Sequence, residues 1–256
     1  MKKSRTPLVV ANWKMNPATA LQALALWKHS GVAAAAAPGV KVVVCPPLIY
    51  LDLLEREKSV CALGAQNFFA GDAETAHTGE ISTTMLANIG VSHVLVGHSE
   101  RRTLGETNTL INQKLLAALK EEFVVILCIG EDRRDTDGFY LTMLSRQLEE
   151  GLAKVPKKGM DQILIAYEPL WAIGKDSKGP AAPADVLETV LYIRRILTRM
   201  WGAKDAEKVR VLYGGSVDGK NAREFVSEGG VDGLLVGRQS LAAKSFSDIL
   251  SSLRNA

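Results

Sequence analysis

The strongest constraint on the fold is a repeat of short apolar runs along the chain. Eight such runs, many of them β-branched, recur over 256 residues and lack the polar alternation of a strand with one face in water. Runs of this kind are typical of parallel strands that are covered on both faces. They occupy residues 8 to 12, 41 to 45, 60 to 66, 91 to 97, 123 to 130, 162 to 168, 209 to 215 and 231 to 237.

Helix-like segments separate these runs. Residues 16 to 30 offer Asn16 as an N-cap with Pro17 in the first turn, and a second segment begins at Pro183 with apolar residues at helical spacing. The alternation fits a closed eight-stranded barrel or an open doubly wound sheet, and the count of eight favours the barrel. Because no linker divides the chain, residues 1 to 256 are predicted to form a single α/β domain, a (β/α)8 barrel.

Composition narrows the possible partners. Apolar residues make up 47% of the chain, the mean hydropathy is +0.06, and the formal net charge is +3. This charge is too mild to favour nucleic acid or a membrane surface, and it is compatible with a small anionic substrate. The cysteines, Cys45, Cys61 and Cys128, lie in apolar runs, which predicts buried, reduced thiols and a cytoplasmic protein.

Polar or glycine-rich residues follow nearly every apolar run. Because the carboxyl ends of parallel barrel strands share one face, we expect these residues to meet at one mouth, where active sites are built. The segments are NWKMN, CPP, AQN, GHSE, IGED, YEPLW, YGGS and VGRQS.

Two of these segments carry residues suited to acid–base chemistry. Glu168 is consistent with an ion pair at a loop start or with a general base, and the second role needs a dry pocket in which desolvation raises the pKa of the carboxylate. The apolar residues 169 to 173 fit such a pocket. His98 is consistent with a structural histidine or with an acid–base or electrophilic group. The other histidines form no ligand-spaced cluster with His98, so no metal site is predicted.

Other strand ends offer groups that suit an anion. Lys14 is either a surface charge or a cation that stabilises a developing oxyanion, and Asn12 adds a neutral donor. The glycines in residues 213 to 216 and 236 to 240 are either tight turns or a phosphate site built by the seventh and eighth loops. Nucleotide-binding and zinc-protease motifs are absent from the sequence.

Taken together, these motifs resemble the triosephosphate isomerase family over essentially the whole chain. Several segments in one order carry the resemblance, which makes a chance match improbable. They are NWKMN (12 to 16), GAQN (64 to 67), TGEIS (78 to 82), GHSERR (97 to 102), CIGE (128 to 131), YEPLWAIG (167 to 174), YGGSV (213 to 217) and DGLLVG (232 to 237).

The resemblance implies a TIM barrel and a role for each matching residue. Glu168 would be the base that moves a proton between adjacent carbons, and His98 the neutral imidazole that polarises the carbonyl oxygens. Lys14 and Asn12 would contact the substrate, with Glu100 supporting the lysine. Since both steps are proton transfers, neither a cofactor nor a metal is implied.

The same resemblance assigns binding and interface residues. The loop around TAHTGE would enter a second subunit through Thr78, which implies a homodimer. An apolar lid after Glu168 would shield the intermediate from water. The residues implied for the phosphate grip and the clamp on Glu168 are Gly174, Ser216, Gly237, Arg238, Ile173 and Leu235.

Three loops depart from the family pattern. The rear of the lid, residues 175 to 182, is longer and contains Pro180; Arg238 and Gln239 follow Gly237 where the family has glycine and alanine; and the SERRTLGETN stretch is shorter. Similar departures occur in relatives that look like isomerases of four-carbon ketose phosphates.

The predicted reaction is interconversion of dihydroxyacetone phosphate and D-glyceraldehyde 3-phosphate. Isomerisation of L-erythrulose 1-phosphate and D-erythrulose 4-phosphate stays open, because it needs the same proton shift. A non-catalytic sugar-phosphate-binding barrel is a further alternative. A Schiff-base aldolase barrel is another; it needs a lysine inside a later strand, and since runs five to eight contain none, Lys14 is the only evident candidate.

Overall fold

A closed parallel barrel forms the centre of the molecule. The computed structural model describes residues 5 to 71, 74 to 173 and 179 to 254, and within these ranges eight parallel strands pair in chain order, with the last strand returning to the first. The (β/α)8 prediction is therefore confirmed. The strands are β1 (Leu8–Asn12), β2 (Lys41–Cys45), β3 (Ala62–Ala65), β4 (His93–Val96), β5 (Val124–Ile129), β6 (Ile163–Tyr167), β7 (Arg210–Tyr213) and β8 (Gly233–Val236).

Each apolar run contains one strand, and the runs at residues 8 to 12 and 41 to 45 match their strands end to end. Leu8 pairs with Lys41 of β2 on one side and with Gly233 of β8 on the other, which closes the barrel. Along β1, Val10 belongs to the apolar cluster inside the barrel, whereas Val9 belongs to the outer cluster shared with the helices. Both faces of the strands are thus dry, which explains the continuous apolar runs.

The α-helices lie outside the barrel. In the described residues they are α1 (Ala20–Ala35), α2 (Leu51–Glu55), α3 (Thr83–Asn88), α4 (Ser99–Thr103), α5 (Asn108–Lys120), α6 (Phe139–Gly151), α7 (Pro183–Trp201), α8 (Ala203–Lys208), α9 (Ala222–Ser227) and α10 (Ala243–Ser252). The predicted helix start at Pro183 is confirmed, since α7 begins at this residue. Proline suits the first turn because the N–H group that it lacks would have no partner there.

The predicted N-cap of α1 is wrong. Thr19, and not Asn16, caps this helix, since its hydroxyl accepts a hydrogen bond from the backbone N–H of Gln22 at 3.3 Å. The side chain of Asn16 instead donates to the carbonyl of Trp13 at 3.3 Å. Residues 13 to 19 therefore form a longer loop at the end of β1 than the sequence pattern suggested.

The barrel interior is filled with side chains. Val10, Leu95, Ile126 and Leu212 meet there, together with the predicted buried cysteines Cys45 and Cys128. Cys61 is also buried and free. Because the interior is packed, a substrate has room only at the ends of the barrel. Across the residues that the structure describes, no helix combines the length and apolar character needed to cross a membrane.

Candidate active site

A cavity of about 530 Å³ opens at the carboxyl-terminal ends of the strands. It is lined by residues that follow five different strands, β1, β4, β6, β7 and β8. Those that the sequence had singled out and that line it are Asn12, Lys14, His98, Glu100, Glu168, Ile173, Ser216, Leu235, Gly237 and Arg238. The barrel thus brings together residues more than 200 positions apart in the chain.

Glu168 is held between two glycines. Its side chain is buried, and its backbone N–H donates to the carbonyl of Ile129 at 2.8 Å. A Cβ on Gly130 would lie 1.9 Å from the carbonyl oxygen of Glu168, and a Cβ on Gly214 would lie 2.9 Å from its Cγ. A side chain on Gly130 would therefore displace the backbone of Glu168, and one on Gly214 would displace its side chain.

The carboxylate of Glu168 contacts His98 and the first turn of α4. His98 Nε2 lies 3.1 Å from Oε1 of Glu168, and the N–H of Ser99 donates to Oε2 at 3.1 Å. The N–H of Glu100 donates to Nδ1 of His98 at 3.2 Å. Because Nδ1 accepts this hydrogen bond, a neutral His98 carries its proton on Nε2, where it faces Oε1 of Glu168.

The expected rise in the pKa of Glu168 is wrong for this arrangement. Burial raises the pKa, but the adjacent His98 and the Ser99 N–H stabilise the charged form by more, so the pKa of Glu168 lies below its usual value. For His98, burial lowers the pKa and the carboxylate of Glu168 outweighs it, so the pKa of His98 is raised. The N–H of Glu100 donates to Nδ1 and so opposes a proton there, whereas the carboxylates of Glu168 and Glu100 both favour the imidazolium.

Lys14 is fixed by its backbone as well as by an ion pair. Its φ is +52°, and its N–H donates to Oδ1 of Asn12 at 3.0 Å. Its ammonium group lies 2.5 Å from Oε1 of Glu100. Gln66 donates to the carbonyls of Lys14 and Cys45, both at 2.8 Å, and so ties the ends of β1 and β2 together. A left-handed backbone is costly for lysine, which makes this positioning a property of the surrounding structure.

Two residues beneath the site had no predicted role. Arg102 donates to the carbonyls of Gly97 at 2.8 Å and Cys128 at 3.1 Å, under the loop that carries His98. Gln147 on α6 accepts from the N–H of Gly130 at 2.8 Å and donates to its carbonyl at 2.9 Å. The motifs GHSERR and CIGE contain or adjoin these contacts, but the partner of each contact is set only by the fold.

The loops after β7 and β8 form one wall of the cavity. The hydroxyl of Ser216 donates to the carbonyl of Ala172 at 2.8 Å, joining this wall to the segment after Glu168. Arg238 is exposed, and among the described residues no hydrogen bond or ion pair to its side chain is found. Gly174 and the first part of the rear segment, Lys175 to Lys178, lie outside the described residues.

Thr78 does not line the cavity. It is exposed in the loop between β3 and α3, whose ends are joined by a 2.8 Å hydrogen bond from the N–H of Phe69 to the carbonyl of Ile81. The rings of Phe69 and His77 also lie 4.3 Å apart within this loop. Thr78 thus belongs to a loop that follows the carboxyl end of β3, the end of the barrel at which Lys14 also lies.

Fold and site together define an α/β-barrel protein with a carboxylate, an imidazole and an ammonium group at one mouth. The family model for triosephosphate isomerase matches residues 7 to 253. A protein named triosephosphate isomerase from Lawsonia intracellularis is 40% identical over 247 residues, covering 95% of this chain and 96% of the relative. The corresponding proteins of Endomicrobium trichonymphae and Dictyoglomus turgidum are 40% and 38% identical, covering 96% and 97% of this chain and 98% and 100% of their own lengths. The chain belongs to the triosephosphate isomerase family.

Proposed function

We propose that this protein is an aldose–ketose phosphate isomerase that interconverts dihydroxyacetone phosphate and D-glyceraldehyde 3-phosphate. The observation that carries the proposal is the meeting of Glu168 and His98 at 3.1 Å in the cavity that Lys14 and Asn12 also line. A base, a neutral donor and a cation are the groups that an enediolate intermediate requires. The names of the relatives support the same reaction.

In this mechanism Glu168 removes the proton from the carbon beside the carbonyl group. The electron pair of the C–H bond forms the enediolate double bond, while the Nε2 proton of His98 and the ammonium group of Lys14 stabilise the oxygen. Glu168 then returns the proton to the neighbouring carbon, while Nε2 of His98 gives its proton to the original carbonyl oxygen and takes one back from the adjacent hydroxyl group, so that one carbonyl group is lost as the other forms. The proton moved is restored, so the cycle includes no cofactor or metal.

The contacts of Glu168 would change when substrate binds. Turning away from Ser99 and His98 removes the groups that lower its pKa, while burial against Leu235 and Ile173 remains. The pKa of Glu168 would then rise, which makes it a stronger base. His98 would lose the carboxylate that favours its charged form and keep the bond to Nδ1, so it would act as a neutral donor.

The phosphate would bind at the β7 and β8 loops. Ser216, Gly237 and Arg238 line this wall and offer backbone N–H groups, and the resemblance adds Gly174. Backbone N–H groups are well suited to phosphate oxygens.

A coupled assay with dihydroxyacetone phosphate tests the reaction, and Glu168→Asp tests the base. Asp withdraws the carboxylate by one methylene, and we expect kcat to fall about 10²-fold or more, as misplacement of about 1 Å costs in other enzymes. Retained activity in this variant would remove Glu168 from its role. Binding of phosphorylated sugars without turnover in the unaltered protein would instead identify a non-catalytic barrel.

Arg238 supports a second candidate substrate, L-erythrulose 1-phosphate. Its guanidinium group is exposed at the cavity wall without a described partner, so it is available to an additional polar group of a longer substrate. The kcat/KM ratio for the four-carbon and three-carbon substrates should be compared in the unaltered protein and in Arg238→Met. If the four-carbon substrate is preferred, this preference should fall in the variant; a clear preference for the three-carbon substrate excludes the second candidate.

A homodimer in the cytoplasm completes the proposal. Large apolar side chains are exposed after β1, after β2 and on α3, the helix that follows the loop of Thr78. They are Met15 at 92%, Ile49 at 80% and Met85 at 47%. Covering such side chains with a second copy removes apolar surface from water. Sedimentation equilibrium measures the mass of the assembly, and a monomer at micromolar concentration would contradict the dimer.

A further inference from the structure

Arg134 lies between the segment directly after Glu168 and the first turns of α7. It follows β5, and its side chain is 19% exposed. Its Cζ lies 5.5 Å from the ring centre of Trp171, in the segment directly after Glu168, and 5.0 Å from that of Tyr140 on α6. A guanidinium group stacks favourably on aromatic faces at such distances.

The other end of the guanidinium group binds the first turns of α7. Nη2 donates to the carbonyl of Asp185 at 2.8 Å and to the hydroxyl of Thr189 at 2.6 Å, and Nη1 lies 3.2 Å from the carboxylate of Glu188. Asp185 also accepts from the N–H of Ala182 at 3.4 Å, at the residue that precedes α7. Arg134 therefore contacts the chain on both sides of the stretch from residue 173 to residue 182.

Glu131 accepts a hydrogen bond from the same tryptophan. Its Oε1 accepts from Trp171 Nε1 at 2.8 Å and from the hydroxyl of Tyr167 at 2.7 Å, and Glu131 is fully buried. Arg134 Nε lies 3.6 Å from this oxygen, and both Arg134 Nε and Glu131 Oε2 are buried without a hydrogen-bond partner among the described residues. The cluster thus holds an ion pair with unused hydrogen-bonding groups on each side, which makes the exact placement of Arg134 matter.

We propose that Arg134 is a positioning residue that connects Trp171 to the start of α7 and so holds residues 168 to 173 over the cavity. This inference rests on the proposed isomerase function. Ile173 lines the cavity two residues after Trp171, and Glu168 lies three residues before it. Loss of the arginine releases one side of Trp171 and weakens the apolar cover over the enediolate.

If residues 168 to 173 cover the cavity less well, the reaction should release more inorganic phosphate. When water reaches an enediolate phosphate, the oxyanion can re-form a C=O bond, the double bond shifts towards the carbon that bears the phosphate, and the C–O bond breaks; inorganic phosphate leaves with the bonding electron pair, and an unsaturated carbonyl compound remains. The ratio of phosphate released to isomerisation turnovers does not depend on the fraction of folded enzyme. It therefore separates a change in the cover from a loss of stability.

The test compares Arg134→Met with Arg134→Lys and with the control Arg133→Met, which changes an exposed neighbour. For Arg134→Met we expect kcat to fall about 10-fold with KM changed less, and phosphate release per turnover to rise about 3-fold or more. Lysine keeps the charge and loses the planar stacking, so kcat and the phosphate ratio of Arg134→Lys should lie between those of Arg134→Met and the unaltered protein. The control should match the unaltered protein. A phosphate ratio in Arg134→Met equal to that of the unaltered protein would overturn the inference.

A second measurement needs no substrate. The emission of Trp171, obtained as the difference between a protein and its Trp171→Phe counterpart, should become more accessible to acrylamide in Arg134→Met and unchanged in Arg133→Met. Equal quenching in both variants would contradict the positioning role even if the protein isomerised another sugar phosphate. Conversely, absence of isomerase activity in the unaltered protein with increased quenching in Arg134→Met would refute only the proposed function.

Discussion

Replacing Gly214 with alanine should damage the reaction without damaging the fold. The new Cβ would lie 2.9 Å from Cγ of Glu168, short of the 3.4 Å at which ordinary contacts begin, so the carboxylate must shift by about 0.5 Å. The same Cβ would make tolerable contacts of 3.4 Å with the Tyr167 carbonyl and 3.5 Å with Leu235. The substitution therefore moves mainly the proposed base.

The size of the effect follows from that displacement. Because a misplacement of about 1 Å costs about 10²-fold in rate, a shift of half that distance should lower kcat about 10-fold. KM should change less than about 3-fold, since the groups at the phosphate wall stay in place. Alanine also restricts the unfolded chain, which offsets part of the strain, so the melting temperature should move by only about 2 °C.

The assay is isomerisation at saturating triose phosphate, with thermal unfolding measured on the same samples. Gly214→Ala should also be made together with Glu168→Gln, because an effect that acts through the carboxylate disappears when the base is already lost. A full 10-fold loss in that combined variant would show that Gly214 acts elsewhere. An unchanged kcat with an unchanged melting temperature would refute the steric argument.

Two further predictions concern stability and assembly. Burial raises the pKa of Glu106, but the hydrogen bonds that it accepts from Lys114 and Arg101 lower the pKa by more. The carboxylate therefore contributes its full stability above pH 4.5, and this contribution is lost as the pH falls through the lower pKa of the folded state. Glu106→Gln leaves the buried Lys114 without its carboxylate. In urea unfolding, the free energy of unfolding should fall by about 3 kcal/mol at pH 7, and it should decline less steeply as the pH is lowered than in the unaltered protein. An equal decline of the two proteins in acid would contradict this prediction. Met15→Asp places a charge on a side chain that is 92% exposed, and it should convert a dimer to a monomer in sedimentation, whereas the exposed control Leu191→Asp should leave the dimer intact.

The positions of the strands were predictable because the signal for each strand is local. Apolar residues without alternation mark a strand covered on both faces, and every predicted run contains a strand. The start of α7 was predictable for the same reason, since Pro183 favours the first turn. The start of α1 was mistaken, because Asn16 and Thr19 are both good caps and only the path of the loop decides between them.

The candidate site divides in the same way. Motifs at strand ends identified Glu168, His98 and Lys14, and their resemblance to a family supplied the roles. No pattern in the sequence predicted that His98 and Glu168 lie 3.1 Å apart, or that this contact lowers the pKa of the carboxylate when burial alone would raise it. Neither could it assign partners to Gln66, which joins β1 to β2.

By itself the sequence determined the alternation of strands and helices and the polar groups that follow the strands, because these depend on hydrophobic pattern and strand direction; it favoured a barrel over an open sheet, and the closure of β8 onto β1 was decided by the tertiary structure. Tertiary structure decided which of those groups touch, which glycines must stay bare beside Glu168, and how Arg134 links Trp171 to α7. Contacts of this kind join residues from different β/α units. Their distances and electrostatics exist only once the barrel has closed.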